Sequence, residues 1–204
     1  MLHGGASRRE NVMVSPTQLS VVRMVPIAKK IAREGKGELA VFRLLNSRRG
    51  WDSTHTPVHD ARWALQQMAN RLGEGLPTCL IGHSLGGRAA ILTADRPEVK
   101  GAVALAPWVY PTDLPTRLAG QRILIVHGSK DRIASPSRAY ELARQLKERT
   151  PTAFVLVKDA KHAMLARHGV FSSLAAEFAT STLLGRSTHA VIARIENGES
   201  LIEV

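Results

Sequence analysis

The chain has 204 residues, 44% of them hydrophobic and 22% charged, which suits one soluble globular domain. A single cysteine, Cys79, excludes a disulfide framework or a cysteine-rich metal site, and no apolar run is long enough for a membrane span or a secretory leader. The net charge of +11 is spread along the chain, and the 4% aromatic content indicates no nucleic-acid-binding module. We therefore expect a cytoplasmic protein that contacts neither nucleic acid nor a membrane, with a preference for anionic substrates left open.

Strand-like and helix-like segments alternate along the chain, a pattern typical of a mostly parallel sheet with helices on both faces. Ser15-Pro16 is a helix-start signal, and this first helix should continue to Gly35 and Gly37, with a kink or break at Pro26. The other predicted strands are residues 39–45, 78–82, 99–107, 122–128 and 153–160, and the other predicted helices are residues 58–72, 85–94, 137–149 and 170–184. We expect residues 1–184 to form one domain and residues 185–204 to form a C-terminal tail, in which 189–195 is either a strand or an ordered arm.

The segment from Gly82 to Gly86 reads Gly-His-Ser-Leu-Gly and satisfies the pattern G-x-S-x-G. It lies between a predicted strand and a predicted helix, which is the context in which a serine is held on a sharp turn with its hydroxyl exposed. Glycine at both ends lets the backbone turn without a Cβ clash. The pattern therefore predicts that Ser84 is a nucleophile, although a short glycine-rich motif alone also fits an ordinary turn.

A serine nucleophile needs a base and an acid, which in this architecture follow it in the order acid, then histidine. Asp131 follows the predicted strand 122–128, and His162 follows the predicted strand 153–160. Because the carboxyl ends of parallel strands meet at one sheet edge, we expect the three side chains to lie together. Asp159 is the alternative acid and Asp113 a weaker one.

The other histidines fit the role of the base less well. His83 is expected to be structural, and His127 is expected to pack or to form a hydrogen bond. His55 and His59 precede the serine and are therefore in the wrong chain order.

Two backbone N–H groups are expected to stabilise an oxyanion. One is that of Leu85, at the start of the helix after the serine. The other comes from the early His3-Gly4-Gly5 segment, where Gly5 is our choice and Gly4 the alternative, because glycine permits a close approach of the backbone to substrate. A mobile N-terminus is the competing interpretation of this segment.

From "HGG" through "GHSLGG" and "HGSKD" to "DAKHAM", the chain resembles the α/β-hydrolase superfamily, and most of all its small bacterial esterases and dienelactone-hydrolase-like members. The resemblance covers nearly the whole chain and implies a nucleophile at Ser84, an acid at Asp131, a base at His162 and oxyanion groups at Gly5 and Leu85. Such a scaffold hosts many reactions, so the resemblance does not define the substrate.

Two departures from the family pattern stand out. Many members insert a lid where this chain has only residues 108–121, so we expect an open site without a cap domain. Members of the family also have an internal strand before the HGG segment, whereas only Met1 and Leu2 precede it here. We expect either a longer natural chain, which is the interpretation we favour, or another filler for the gap, such as residues 189–195 from this chain or a neighbouring one.

These observations predict a serine hydrolase that cleaves a small ester or thioester through an acyl-enzyme intermediate, with a small-molecule acyl substrate and no cofactor or metal. Trp108 and Tyr110 follow a strand end and are candidates for the wall of an acyl pocket. Two alternatives stay open: an amide or peptide hydrolase with the same triad, and a non-catalytic protein of this fold that binds a ligand. The oligomeric state is not predicted.

Overall fold

A parallel sheet of five strands, in the spatial order β1-β2-β3-β4-β5, forms the centre of the fold. The computed structural model describes residues 1–5 and 13–204. The strands are β1 (Thr78–His83), β2 (Val99–Leu105), β3 (Arg122–Gly128), β4 (Thr152–Val157) and β5 (Leu201–Glu203). The α-helices are α1 (Leu19–Val22), α2 (Met24–Glu34), α3 (Thr56–Leu72), α4 (Leu85–Leu92), α5 (Pro136–Lys147), α6 (His168–Leu184) and α7 (Ala190–Glu196), and a 3-10 turn spans Leu165–Arg167.

Successive residues of a strand point to opposite faces of the sheet. Both faces are apolar here, and helices cover each of them. In β3, Ile123 and Ile125 belong to the core on the α5 side, whereas Leu124 and Val126 belong to the core under α2 and α6. Both cores are apolar and closely buried, so the central strands read as continuous hydrophobic runs, as expected for a parallel sheet. The predicted α/β architecture is therefore confirmed.

The first helical region is broken near its proline. α1 ends at Val22 and α2 begins at Met24, so Pro26 lies in the first turn of α2, where a missing N–H removes no intrahelical hydrogen bond. The helix also starts later than its predicted cap at Ser15. In α3, Trp63 is 60% exposed and does not face the sheet, whereas Leu65 is buried.

The predicted strand 39–45 is wrong as a regular strand. Of these residues only Leu44 bridges a neighbour, and that neighbour is Leu2, which also bridges Gly82 of β1. Leu2 therefore fills one position between the chain segment at Leu44 and β1, with hydrogen bonds from the Leu44 N–H to Met1 O (3.0 Å) and from the Leu2 N–H to Ile81 O (2.8 Å). Among residues 1–5 and 13–204, no strand runs beside residues 39–43 to complete a ladder, which is the physical reason they are not regular β structure.

A slot continues from Met1 between residues 38–42 and the first half of β1. One cavity of about 300 Å³ opens on one side and is lined by Met1, Phe42, Cys79 and neighbouring apolar residues. A second, of about 260 Å³, opens near Leu2 and Trp63. We call this gap the strand slot.

The C-terminal residues do not fill this slot, contrary to one of our expectations. Residues 189–195 are neither strand nor arm: α7 spans Ala190–Glu196, with His189 accepting a hydrogen bond from the Val191 N–H as its cap. The chain then forms β5, which pairs with β4 at the opposite edge of the sheet. Burial of Val191, Ile192 and Ile202 in the α2–α6 core holds this segment in place.

Candidate active site

The backbone at Ser84 turns sharply from β1 into α4. Ser84 has φ 54° and ψ −117°, a conformation that L residues rarely adopt. A Cβ at Gly82 would lie 2.0 Å from Gly86 O, and a Cβ at Gly86 would lie 2.3 Å from Leu2 O. Both glycines of the motif are therefore required by close backbone approaches, which explains why this sequence folds into this turn.

The structure brings the three predicted triad residues together. Ser84 Oγ lies 3.0 Å from His162 Nε2, and His162 Nδ1 lies 2.8 Å from Asp131 Oδ2. Asp131 follows β3 and His162 follows β4, so both project from the same sheet edge as Ser84. The nucleophile–base–acid chain has the geometry that serine activation needs.

Asp131 is held in a fixed orientation by its own loop. Its side chain is fully buried, and Oδ1 accepts hydrogen bonds from the N–H groups of Ile133 (2.8 Å) and Ala134 (2.9 Å). Burial alone would raise the pKa of Asp131, but the hydrogen bonds from His162 and from these N–H groups outweigh it and lower that pKa. The carboxylate therefore stays ionised beside His162 Nδ1.

The His3-Gly4-Gly5 segment lies against Ser84 and Leu85. A Cβ on Gly4 would lie 3.3 Å from Ser84 Cβ, and one on Gly5 would lie 2.1 Å from Arg49 O and 2.8 Å from the Leu85 side chain. His3 anchors the segment, since its Nε2 accepts from the Asn46 N–H (3.1 Å) and its Nδ1 donates to Gly4 O (2.6 Å). Leu85 is the first residue of α4, so its N–H has no intrahelical acceptor.

An arginine surrounded by aromatic rings lies one helical turn after Ser84. The Arg88 guanidinium carbon lies 4.0 Å from the ring centre of Trp51, 5.2 Å from that of Tyr110 and 5.7 Å from that of Trp108. Its Nη2 donates to Asp113 Oδ1 at 2.7 Å, and both side chains are buried. We call these five residues the Arg88 cluster.

The Arg88 cluster fixes the loop after β2 beside Ser84. Asp113 Oδ2 accepts from the Tyr110 N–H (2.8 Å), and the Trp108 N–H donates to Ser84 O (3.2 Å). Trp108 and Tyr110, which we predicted as candidates for an acyl wall, pack edge to face at 5.6 Å. Sequence reasoning missed Trp51 and Arg88, and the position of Arg88 one turn after the serine was the signal available for it.

The competing acids lie elsewhere. Asp159 forms an exposed ion pair with Lys130 Nζ at 2.8 Å, and Asp113 is occupied by Arg88. His127 is fully buried, with Nδ1 3.9 Å from Asp131 Oδ2, and burial lowers its pKa. His127 thus packs against the carboxylate of Asp131, as a buried neutral side chain.

Over residues 1–5 and 13–204, no helix is long and apolar enough to cross a membrane. In the same residues, no group of three or more His, Cys, Asp or Glu side chains is arranged to hold a metal ion.

Comparison with known proteins gives one family match. Residues 33–121 match the family model described as "Serine aminopeptidase, S33". This stretch is less than half of the chain and includes Ser84 but neither Asp131 nor His162. No curated protein matches the chain.

Several solved structures share the fold at low sequence identity. An esterase from Pyrococcus furiosus has a TM-score of 0.66 at 18% identity, over 89% of this chain and 81% of its own. An α/β serine hydrolase homologue from Coxiella burnetii has 0.57 at 20%, over 75% and 76%. A lidless α/β serine hydrolase from Xanthomonas campestris has 0.54 at 19%, over 72% of each chain. The fold that the motifs implied is confirmed: the chain has the α/β-hydrolase fold, in the form without a lid domain between β2 and β3.

Proposed function

We propose that the chain is a serine hydrolase that cleaves small carboxylic esters or thioesters. The observation that carries this proposal is the continuous hydrogen-bonded chain from Ser84 Oγ through the His162 ring to Asp131, at 3.0 and 2.8 Å. Esterases with the same fold, such as that from Pyrococcus furiosus, support the choice of reaction.

The reaction begins with attack of Ser84 Oγ on the substrate carbonyl carbon, as His162 Nε2 takes the hydroxyl proton. The carbonyl oxygen becomes an oxyanion, which the N–H groups of Gly5 and Leu85 stabilise; one such donor contributes about 3 kcal/mol. When the tetrahedral intermediate collapses, the C–O or C–S bond to the leaving group breaks and His162 returns the proton to it.

Water then attacks the acyl group on Ser84 in the reverse sense. His162 takes a proton from the water and returns it to Ser84 Oγ, which releases the carboxylic acid. Asp131 accepts from His162 Nδ1–H throughout and stabilises the imidazolium that forms in each half-reaction.

A second candidate is an amide or peptide hydrolase that uses the same residues. The observation that favours it is the aminopeptidase description of the matching family model. Within the described residues, the carboxylate of Asp113 in the Arg88 cluster is already paired with Arg88 and is not an unpaired anion for the amino group of a peptide substrate.

The test combines active-site labelling with turnover. A fluorophosphonate probe should label the wild-type protein, and Ser84→Ala should remove both the label and the hydrolysis of p-nitrophenyl acetate. Parallel assays with an acyl-thioester and an aminoacyl anilide distinguish the substrate classes. Turnover of the anilide at a kcat/KM above that of the ester would favour the second candidate. Absence of label and turnover in the folded wild-type protein would support a non-catalytic ligand-binding protein.

A further inference from the structure

His83, the residue immediately before the nucleophile, contacts the loop that carries His162. It is the last residue of β1 and is almost fully buried. Its Nε2 lies 3.0 Å from the backbone oxygen of His162, and the two rings pack with their centres 5.0 Å apart. The nucleophile's strand and the loop of the base are therefore joined by a direct hydrogen bond.

The direction of this hydrogen bond determines the tautomer of His83. A carbonyl oxygen only accepts, so Nε2 carries the proton and donates it. Nδ1 then presents its lone pair on the other side of the ring, where a Cβ on Gly4 would lie 3.1 Å away. Burial, and next the charge of His162, lower the pKa of His83 to about 3, so the ring is neutral over the working pH range.

The His83 contact differs from the other two hydrogen bonds of His162 because it involves the backbone. The ring nitrogens of His162 contact Ser84 and Asp131, and the contact with Ser84 changes when the proton moves from Oγ to Nε2. The loop that carries His162 lies between two left-handed residues, Asp159 (φ 61°) and Met164 (φ 60°). A bond to the His162 carbonyl persists while the ring exchanges its proton.

We propose that His83 is a positioning residue: by donating its Nε2–H to the His162 carbonyl, it holds the imidazole between Ser84 and Asp131 throughout turnover. This inference rests on the proposed serine hydrolase function. It gives a role to the first variable position of the G-x-S-x-G motif, because the residue before the serine then positions the catalytic histidine. A neutral donor suits this role, since a charged ring 5.0 Å away would oppose formation of the His162 imidazolium.

A matched pair of substitutions tests the donor. His83→Gln keeps a neutral N–H donor on a flexible side chain, whereas His83→Met has nearly the same length and no donor. We expect His83→Met to lower kcat about 10- to 100-fold with KM within about 3-fold, because a displacement on the order of 1 Å has effects of this size. His83→Gln should recover kcat to within about 5-fold of wild type, and His59→Leu, at an exposed histidine of α3, should leave kcat unchanged.

Two outcomes of these assays would overturn the proposal. Equal losses in the Gln and Met variants would show that packing, and not the donor, matters. A wild-type kcat in the Met variant would show that the hydrogen bond is dispensable. Thermal unfolding of each variant separates a loss of folded protein from a loss of turnover per folded molecule.

Imidazole nitrogen NMR of the wild-type protein tests the same bond without turnover or substitution. His83 should be the Nε2–H tautomer, with a proton that exchanges slowly with solvent. An Nδ1–H tautomer would refute the proposal directly, even if His83→Met fails to fold. Failure of the proposed function is a separate result: it would appear as absent fluorophosphonate labelling in the wild-type protein.

Discussion

Exchanging Asp131 for asparagine should remove activity while leaving the fold in place. Oδ1 accepts from the backbone N–H groups of Ile133 and Ala134, which can only donate, so the asparagine carbonyl oxygen must occupy that side. Its NH₂ group then faces His162 Nδ1, 2.8 Å away in the wild type. Nδ1 must accept, the ring proton moves to Nε2, and Nε2 can no longer take the proton of Ser84.

The expected loss in kcat is about 10⁴-fold, the value that the same exchange produces in a serine protease triad. This corresponds to about 5.4 kcal/mol in the activation free energy. The free energy of unfolding should fall by no more than about 2 kcal/mol, because one charge-assisted hydrogen bond is lost and the two backbone contacts remain. Hydrolysis of p-nitrophenyl acetate and the rate of fluorophosphonate labelling measure the first quantity, and urea unfolding measures the second.

Asp159→Asn is the matched control, because Asp159 is exposed and pairs with Lys130 instead of His162. It should keep kcat within about 2-fold of wild type, as expected for a weak surface ion pair. Retention of kcat within 10-fold in Asp131→Asn would refute the tautomer argument. If Asp159→Asn lost activity in the same experiment, the role of the acid would pass to Asp159.

The buried histidines, the buried Arg88–Asp113 pair and the site without a lid each give a further prediction. Burial lowers the pKa of His83 to about 3 and also lowers those of His3 and His127, so the unfolded chain binds protons below about pH 6.5 that the folded chain does not. The free energy of unfolding should therefore fall as pH falls from 6.5 to 4.5, by at most about 1.4 kcal/mol per pH unit for each histidine. His83→Gln should flatten the plot of this free energy, measured by urea unfolding, against pH. An unchanged slope in that variant would contradict the argument. Arg88→Met should lower the free energy of unfolding by about 3–5 kcal/mol, measured by urea unfolding, because Asp113 is left buried without its charged partner. Adding Asp113→Leu to the same chain should restore much of this loss. A loss under about 1 kcal/mol in Arg88→Met alone would refute the pairing argument. The site without a lid should prefer p-nitrophenyl acetate to long-chain esters, and a rate jump on emulsified triglyceride would count against that preference.

The proximity of Ser84, Asp131 and His162 was predictable because each follows an apolar run of local sequence. Strands β1, β3 and β4 are short runs of six or seven residues, and parallel pairing brings their carboxyl ends together. The position of Ser84, Asp131 and His162 after these strands therefore predicted that the three side chains lie at one edge of the sheet. The close approach of Gly4 and Gly5 to Ser84 and Leu85 was predictable from the glycines themselves, whereas their role toward an oxyanion stays a prediction.

The features that were missed depend on partners distant in sequence. Residues 39–45 have a strand-like composition, but a ladder requires a neighbouring strand, and in the part of the chain that the structure describes Leu2 supplies one bridge, to Leu44. Leu201–Glu203 is too short to predict alone and exists as β5 because β4 offers an open edge. The Arg88 cluster joins residues up to 62 positions apart, from Trp51 to Asp113, and an arginine within a basic composition looks like an ordinary surface charge.

The strand slot makes the start of the chain an unsuitable place for a tag. Leu2 pairs with Leu44 on one side and with Gly82 of β1 on the other, and a Cβ on Gly86 would come within 2.3 Å of its carbonyl oxygen. An extended apolar peptide fused ahead of Met1 would add backbone hydrogen bonds in the strand slot, since β1 and the segment at Leu44 both pair with Leu2 in parallel. A bulky or charged fusion would instead displace Leu2 from α4 and loosen the turn that holds Ser84. Assays of such a fusion would therefore report on the tag as well as on the protein.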